Sequence, residues 1–139
     1  MKTQIKIETI VKNKIDQTWE KYTIPKHIVK WNAADESWHT TNADNDFRED
    51  GKFSYRMEAK DKSAGFDFSG TYTKIQKEKE IAYTLDDERK VDVRFLAEGD
   101  KTVVTVKFEA EEVNSVEMQR KGWQSILNNF KAYCEENTI

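Results

Sequence analysis

Residues 120–135, RKGWQSILNNFKAYCE, carry the clearest indication of the architecture of this protein. The apolar side chains of this stretch recur three or four positions apart, as on one face of an α-helix, at Trp123, Ile126, Leu127, Phe130 and Cys134. Polar residues such as Gln124 and Asn128 occupy the opposite face. The spacing predicts an amphipathic helix whose apolar face packs against a second layer of structure.

One glycine, Gly122, lies inside this predicted helix. Glycine in a helix interior costs roughly 1 kcal/mol relative to alanine, so its presence needs a physical reason. We therefore predict that another backbone segment approaches the helix closely at Gly122.

The N-terminal third of the sequence predicts one strand followed by two helices. In QIKIETIVK, residues 4–12, apolar and polar residues alternate with the period of a half-buried strand. Asn13 follows it and is a candidate side-chain cap for a helix that carries Ile15, Trp19 and Tyr22 at helical spacing. The only proline, Pro25, predicts the start of a second, short helix.

The central part of the sequence, from residue 37 onward, predicts an antiparallel meander. Charged or glycine-containing clusters (EDG, KDKSAG, QKEKE, DDERK and EGDK) separate short alternating segments and indicate hairpin turns. The predicted inward-facing residues of the last three strands are Ile81, Tyr83 and Leu85, then Val91, Val93 and Phe95, then Val104, Val106 and Phe108. In the segment GFDFSG we predict a strand with a bulge at Gly70.

Composition limits the class of protein. The 139 residues are 37% hydrophobic and 35% charged, with a formal net charge of −3, which favours a single soluble domain over residues 1–139 and no nucleic-acid partner. The lone cysteine, Cys134, cannot form an internal disulfide, and the first residues lack the apolar stretch of a signal peptide, so we expect a cytoplasmic protein. No apolar run approaches the ~20 residues that span a bilayer, so we expect no membrane insertion.

Four blocks of the sequence resemble a known family. These are YTIPKHIVKW (22–31), DFREDGKFSYRM (46–57), FDFSGTYTKI (66–75) and the closing GW..IL..F (122–130). Together they resemble the family named for the activator of the ninety-kilodalton heat-shock chaperone's ATPase, in the START-like (SRPBCC) superfamily. The resemblance implies an α+β helix-grip fold: a curved antiparallel sheet of about seven strands wrapped around a long C-terminal helix, with two short helices after the first strand. It also implies a cavity between sheet and helix.

The aromatic content favours a cavity with a ligand-binding role. Sixteen residues are aromatic, more large rings than a dry core of this size requires. The predicted ligand-binding residues are Trp31, Trp38, Tyr55, Phe68, Tyr72, Tyr83, Phe95, Trp123 and Leu127. The tyrosine hydroxyls either orient a ligand or reach the sheet edge and water, and Trp31 and Trp38 either gate the cavity or anchor its open end.

Few residues are candidates for catalysis. His27 and His39 alone could act as bases or imidazole ligands near neutral pH, but neither lies at a metal-binding spacing, so we expect no metal and no cofactor. Cys134 falls on the apolar stripe and should behave as a small apolar residue. The polar strand residues Arg56, Glu58, Asp67 and Arg94 should form a solvated face.

The sequence is compatible with three functions. The first is binding of a small apolar molecule, lipid-like or aromatic, between sheet and helix. The second, implied by the family name, is a chaperone-associated role in the stress response. The third is a START-like cyclase or hydrolase, which would need an acid or base inside the cavity. The sequence identifies no such group, so we expect a binding protein rather than an enzyme.

Overall fold

A computed structural model describes residues 3–136 of the chain. Within that range one antiparallel sheet, in the order β1-β7-β6-β5-β4-β3-β2, faces a long helix. The strands are β1 (Gln4–Val11), β2 (Trp38–Asn45), β3 (Lys52–Ala59), β4 (Gly65–Gln76), β5 (Glu80–Leu85), β6 (Lys90–Glu98) and β7 (Lys101–Glu109). The helices are α1 (Ile15–Thr23), α2 (Pro25–Trp31) and α3 (Val116–Glu136). This architecture confirms the predicted helix-grip fold.

The predicted inward faces of β5, β6 and β7 are confirmed. All nine residues of the predicted set are buried, and Val93 and Val104 are fully inaccessible to solvent. Alternation predicts them because successive side chains of a strand point to opposite faces of the sheet. The outer face is charged and partly solvated, as predicted, and Arg56 pairs there with Glu58 at 2.9 Å and with Asp67 at 3.5 Å.

Helix α3 packs its apolar stripe against the inner face of the sheet. Leu127, Phe130 and Cys134 are buried, whereas Trp123 and Ile126 are half-buried. The Phe130 ring contacts Tyr22 and Trp31 edge-on, with centroids 5.1 and 4.9 Å away, and so joins α3 to α1 and α2. The C-terminal half of the stripe is therefore solid core, and its N-terminal half faces more open space.

Asn13 is not the predicted side-chain cap. Helix α1 begins after Lys14, and no side chain caps it. The Asn13 side chain is buried and instead donates from Nδ2 to the carbonyl oxygen of Cys134 at 3.2 Å, while Thr102 donates to its backbone carbonyl at 2.9 Å. Through these hydrogen bonds Asn13 connects the end of β1 to the last turns of α3 and to the β6–β7 hairpin.

The predicted bulge at Gly70 is also wrong. Gly70 pairs in regular register with Phe53 on β3 and with Leu85 on β5, and the register shift of β4 falls between Tyr72 and Lys74. A Cβ atom on Gly70 would lie 2.5 Å from the Thr84 carbonyl oxygen. Close approach of a neighbouring backbone, rather than a bulge, explains the glycine.

The predicted close approach at Gly122 is wrong as well. A Cβ atom added there would meet no atom within 4 Å outside the local helix. Glycine in a helix interior is destabilising, and at Gly122 no close packing contact explains its presence.

We expect the Gly122→Ala substitution to stabilise the protein by about 0.5–1 kcal/mol, because alanine has the higher helix propensity and its methyl group has room. Chemical denaturation followed by circular dichroism measures the change. A loss of stability would show that space around Gly122 is needed.

No helix within the described residues is long and apolar enough to cross a membrane.

Candidate functional site

A cavity of about 330 Å³ lies between the inner face of the sheet and helix α3. Strands β3, β4 and β5 form one wall, and α3 forms the other with Trp123, Ile126 and Leu127. Tyr22 and Trp31, from α1 and α2, border it where the two short helices meet the sheet. The volume falls at the lower end of the range usual for small-molecule sites.

The sheet wall of the cavity is a continuous aromatic surface. Phe53 lies at its centre, with ring centroids 5.1 Å from Tyr55, 5.1 Å from Tyr72 and 5.0 Å from Tyr83. Phe68 extends the surface and lies 6.3 Å from Tyr55. Rings on neighbouring strands reach one another because side chains directly across an antiparallel pair are only about 5 Å apart.

The helix wall is centred on Trp123. Its ring stacks on Phe108 of β7, with centroids 3.9 Å apart and planes 9° from parallel, and meets Phe68 edge-on at 5.9 Å. Trp123 thus bridges from β7 to β4 across the cavity. It remains half-buried because part of its surface borders the cavity instead of packed atoms.

The α1–α2 side of the cavity is rigidly built. The Trp31 indole N–H donates to the Lys21 carbonyl oxygen at 2.8 Å, and the Trp31 ring stacks on Tyr22 with centroids 5.2 Å apart. Trp31 is 7% exposed. Its contacts fit the anchoring interpretation of this tryptophan better than a gate.

Four tyrosines bring hydroxyl groups to this apolar space. Tyr72 donates to Asn45 Oδ1 at 2.8 Å, and Asn45 donates from Nδ2 to the Thr23 carbonyl oxygen at 2.8 Å. Burial raises the pKa of Tyr55 to about 12, and interaction with the Tyr72 hydroxyl offsets part of that rise. All four phenols stay protonated at neutral pH, because burial also raises the pKa of Tyr22, Tyr72 and Tyr83.

Two of these hydroxyls have no protein partner among residues 3–136. Neither Tyr22 nor Tyr83 forms a hydrogen bond with another described side chain or backbone group, and neither hydroxyl is sealed from accessible space. Tyr22 retains accessible surface even though it lies deep enough for burial to raise its pKa, because the cavity adjoins it. These groups can donate or accept a hydrogen bond from a molecule in the cavity.

One end of the cavity is polar. Arg89 of the β5–β6 turn borders it, together with Glu111 and Asn114 of the β7–α3 connection and Gln119 of α3. Gln119 accepts from the Glu111 N–H at 2.9 Å and donates to the carbonyl oxygens of Glu111 at 3.0 Å and Asn114 at 2.9 Å. The connection is therefore held in place by a side chain that itself borders the cavity.

Most of the predicted ligand-binding residues meet in this cavity. Those that border it are Trp31, Tyr55, Phe68, Tyr72, Tyr83, Trp123 and Leu127. Phe95 does not, because Trp19 and Tyr22 cover it at centroid distances of 5.1 and 5.4 Å. Trp38 does not border it either, but lies outside beside Phe66, 5.9 Å away. The predicted placement of these two residues is therefore corrected.

Sequence reasoning missed several lining residues. Tyr22 and Phe47 border the cavity but are not among the predicted ligand-binding residues, although the spacing of Tyr22 with Trp19 indicates an inward face on α1. Arg89 and Gln119 had no usable signal, since each lies in a strongly polar stretch that resembles solvated surface.

The two histidines and the cysteine lie away from the cavity lining. His27 places Nδ1 2.6 Å from the Tyr133 hydroxyl oxygen, and its pKa is lowered mainly by burial and also by Lys26 and Lys21. His39 is exposed on β2. Cys134 is fully buried, and desolvation raises the pKa of its thiol to about 12. Within the described range, no group of three His, Cys, Asp or Glu side chains is placed to hold a metal ion.

A curled antiparallel sheet that holds a C-terminal helix across an internal cavity defines the helix-grip class of START-like proteins. Comparison at the sequence level is more specific. The profile of the family described as "Activator of Hsp90 ATPase homolog 1-like protein" matches residues 12–135. The chain belongs to this family.

Solved structures agree with this assignment. The chain is similar to the AHSA1-like protein of Aeromonas hydrophila, with 41% identity, a TM-score of 0.91, and coverage of 96% of this chain and 93% of that one. A protein of Cytophaga hutchinsonii is 42% identical, with a TM-score of 0.83 and the same coverage. A protein of Nitrosomonas europaea, at 15% identity, shares the fold with a TM-score of 0.82 over 97% and 96% of the two chains. A search of curated proteins found no match.

Proposed function

We propose that the protein binds a small, largely apolar molecule, aromatic or lipid-like, in the cavity between the sheet and α3. The observation that carries the proposal is an aromatic-walled space of about 330 Å³ bordered by the Tyr22 and Tyr83 hydroxyls, which have no partner among the described residues. An apolar wall with a few polar groups is the usual composition of a small-molecule site. The family and its fold support ligand binding in general terms.

The physical argument for a ligand is that the cavity departs from ordinary core packing. Protein interiors fill space at the density of organic crystals, and voids larger than a water molecule are few. Here the large rings contact one another and leave space between them, because aromatic pairs favour edge-on contacts at centroid separations of 4.5–7 Å. A bound apolar molecule would recover the dispersion contacts that the lining atoms lack.

The direct test is binding of N-phenyl-1-naphthylamine, a neutral apolar probe whose fluorescence rises in a dry environment. We expect saturable binding with one probe per chain. Native mass spectrometry of freshly purified protein provides a second readout, in which a retained small molecule would identify the natural ligand class. Absence of saturable probe binding would contradict the proposal.

A cavity-filling variant tests the location. Leu127→Trp should weaken probe binding at least tenfold yet cost less than the ~1–3 kcal/mol typical of overpacking, because the added ring extends into the cavity. Leu85→Trp is the matched control: Leu85 is equally buried but does not border the cavity, so this variant should be destabilised by the full amount.

The two variants give opposed outcomes for stability and binding. Equal destabilisation of both, measured by urea denaturation, would show that the space beside Leu127 cannot accept a ring. Undiminished probe binding by Leu127→Trp would place the binding site elsewhere.

The family description also supports a second proposal, that the protein acts with a chaperone. Its observable consequence is a change in the ATPase rate of a ninety-kilodalton heat-shock chaperone when the purified protein is added. An unchanged rate at saturating protein would remove this proposal without affecting the first.

A further inference from the structure

Among the residues that the structure describes, Arg89 is the one cationic side chain that borders the cavity, and it lies at the polar end. It is the last residue of the four-residue turn, residues 86–89, that joins β5 to β6. In this turn the Leu85 N–H donates to the Arg89 carbonyl oxygen at 2.8 Å, and the Glu88 N–H donates to the Leu85 carbonyl oxygen at 2.8 Å. The turn includes Glu88 at a φ of 75°, which reverses the chain tightly. Arg89 is thus positioned by a closed backbone turn instead of a loose loop.

The Arg89 side chain is directed inward although its sequence neighbours are solvated. Its side chain is 17% exposed, against 54% for Asp87. The Nε–H donates to Asp87 Oδ2 at 2.8 Å, which orients the guanidinium plane. The two Nη groups form no hydrogen bond with any residue of the range 3–136, and Arg89 borders the cavity.

The guanidinium also acts on the interior of the cavity. Burial raises the pKa of Tyr83, and the positive charge of Arg89 acts in the opposite direction. Tyr83, on β5, and Arg89, in the turn that follows β5, both border the cavity.

From this geometry we propose, as an extension of the proposed binding function, that the ligand is an apolar molecule with a single carboxylate, which pairs with the Arg89 Nη groups while its tail lies along the tyrosine and phenylalanine wall. A guanidinium offers parallel N–H donors that match the two oxygens of a carboxylate. The Tyr83 hydroxyl can add a third hydrogen bond.

The charges around Arg89 favour a singly charged head group. Glu111 borders the same cavity and accepts the Asn114 N–H at 2.6 Å, and Asp87 already accepts from Arg89. A doubly charged group such as a phosphate monoester would meet these two carboxylates with only one cation to offset them. Because Arg89, Asp87 and Glu111 together already carry one net negative charge, a monocarboxylate meets less repulsion there than a dianion would.

The experiment compares two molecules of equal tail length. Dodecanoate and dodecanol are each titrated against the full chain by isothermal titration calorimetry, with N-phenyl-1-naphthylamine displacement as the second readout. We expect the wild type to bind dodecanoate about tenfold more tightly than dodecanol, since a charge-assisted hydrogen bond is about twice as strong as a neutral one. The acid-to-alcohol ratio is the quantity of interest, because general effects on the cavity cancel in it.

Two further variants assign the preference to one residue. Arg89→Gln should reduce the ratio to about one, and Arg89→Lys should retain part of it, because lysine keeps the charge and loses the parallel donors. Lys90→Gln is the control, since Lys90 is an exposed cation next in sequence that does not border the cavity. It should leave the ratio as in the wild type.

The outcomes separate this inference from the function on which it rests. A wild-type ratio near one, an unchanged ratio in Arg89→Gln, or an equal loss in Lys90→Gln would overturn the role of Arg89 while probe binding still upheld the cavity. Failure of the neutral probe, the acid and the alcohol to bind at all would overturn the binding function itself.

Discussion

The Phe130→Ala variant should lose about 3–5 kcal/mol of stability, the range found when large aromatic side chains are truncated in a core. Phe130 is 0% exposed, and its ring contacts the rings of both Tyr22 and Trp31. Truncation would leave a void where α3 meets α1 and α2. Because whole domains are stable by only about 5–15 kcal/mol, the variant should be partly unfolded at moderate denaturant concentration.

Urea denaturation followed by circular dichroism measures this loss. Met118→Ala serves as the control on the same helix, since Met118 is 62% exposed and its truncation should change stability by less than about 0.5 kcal/mol. A Phe130→Ala midpoint close to the wild type would show that the three helices are not joined through this ring.

Gly70→Ala should be the second strongly destabilised variant, by about 3 kcal/mol, at the upper end of the cost of overpacking. The added methyl group would lie 2.5 Å from the Thr84 carbonyl oxygen and 3.1 Å from both the Leu85 Cα and the Phe53 ring. Two of these neighbours are backbone atoms of β5, which cannot rotate away as a side chain could. Strands β4 and β5 would have to separate locally.

Thermal unfolding of Gly70→Ala beside Gly122→Ala provides the comparison. The same chemical change should lower the melting temperature at Gly70 and raise it at Gly122, where the methyl group has room. Shifts of equal sign and size would mean that local propensity, and not the surrounding backbone, decides both positions.

The parts of the fold that the sequence predicts are those governed by periodicity. Val91, Val93 and Phe95 alternate with charged residues on β6, and the structure buries all three. The stripe on α3 follows from the helical repeat in the same way. These predictions succeed because strand and helix geometry fix which side chains share a face, whatever the neighbouring elements are.

The predictions that failed depend on neighbours distant in sequence. Asn13 has the composition of a helix cap, but the carbonyl of Cys134, 121 residues away, takes its amide donor. Gly122 and Gly70 are both glycines inside regular elements, and only the positions of other strands distinguish them. Local sequence carries no information about such contacts.

In the candidate site, too, periodicity predicts some features, while others depend on contacts distant in sequence. Alternation places both Tyr83 and Phe95 on the inner face, yet only the packing of Trp19 shows that Phe95 is covered while Tyr83 borders the cavity. Arg89 belongs to a charged turn, DDERK, whose composition is typical of solvent-exposed residues. The inward direction of its side chain depends on the path of the turn and on the hydrogen bond to Asp87. Composition predicts neither of these.

The order of strands in the sheet has a consequence for biosynthesis. Within residues 3–136, strand β1 lies at one edge of the sheet and pairs with β7, with Ile7 opposite Val106. Its partner is thus the last of the seven strands described. During translation, strands β2 to β6 can pair with their sequence neighbours as they emerge, whereas β1 has no strand to pair with until β7 has left the ribosome. Loops of this length close slowly, and unpaired apolar strands are prone to aggregate. Closure of β1 onto β7 and α3 is therefore expected to be a late step, which covers the apolar face of β1.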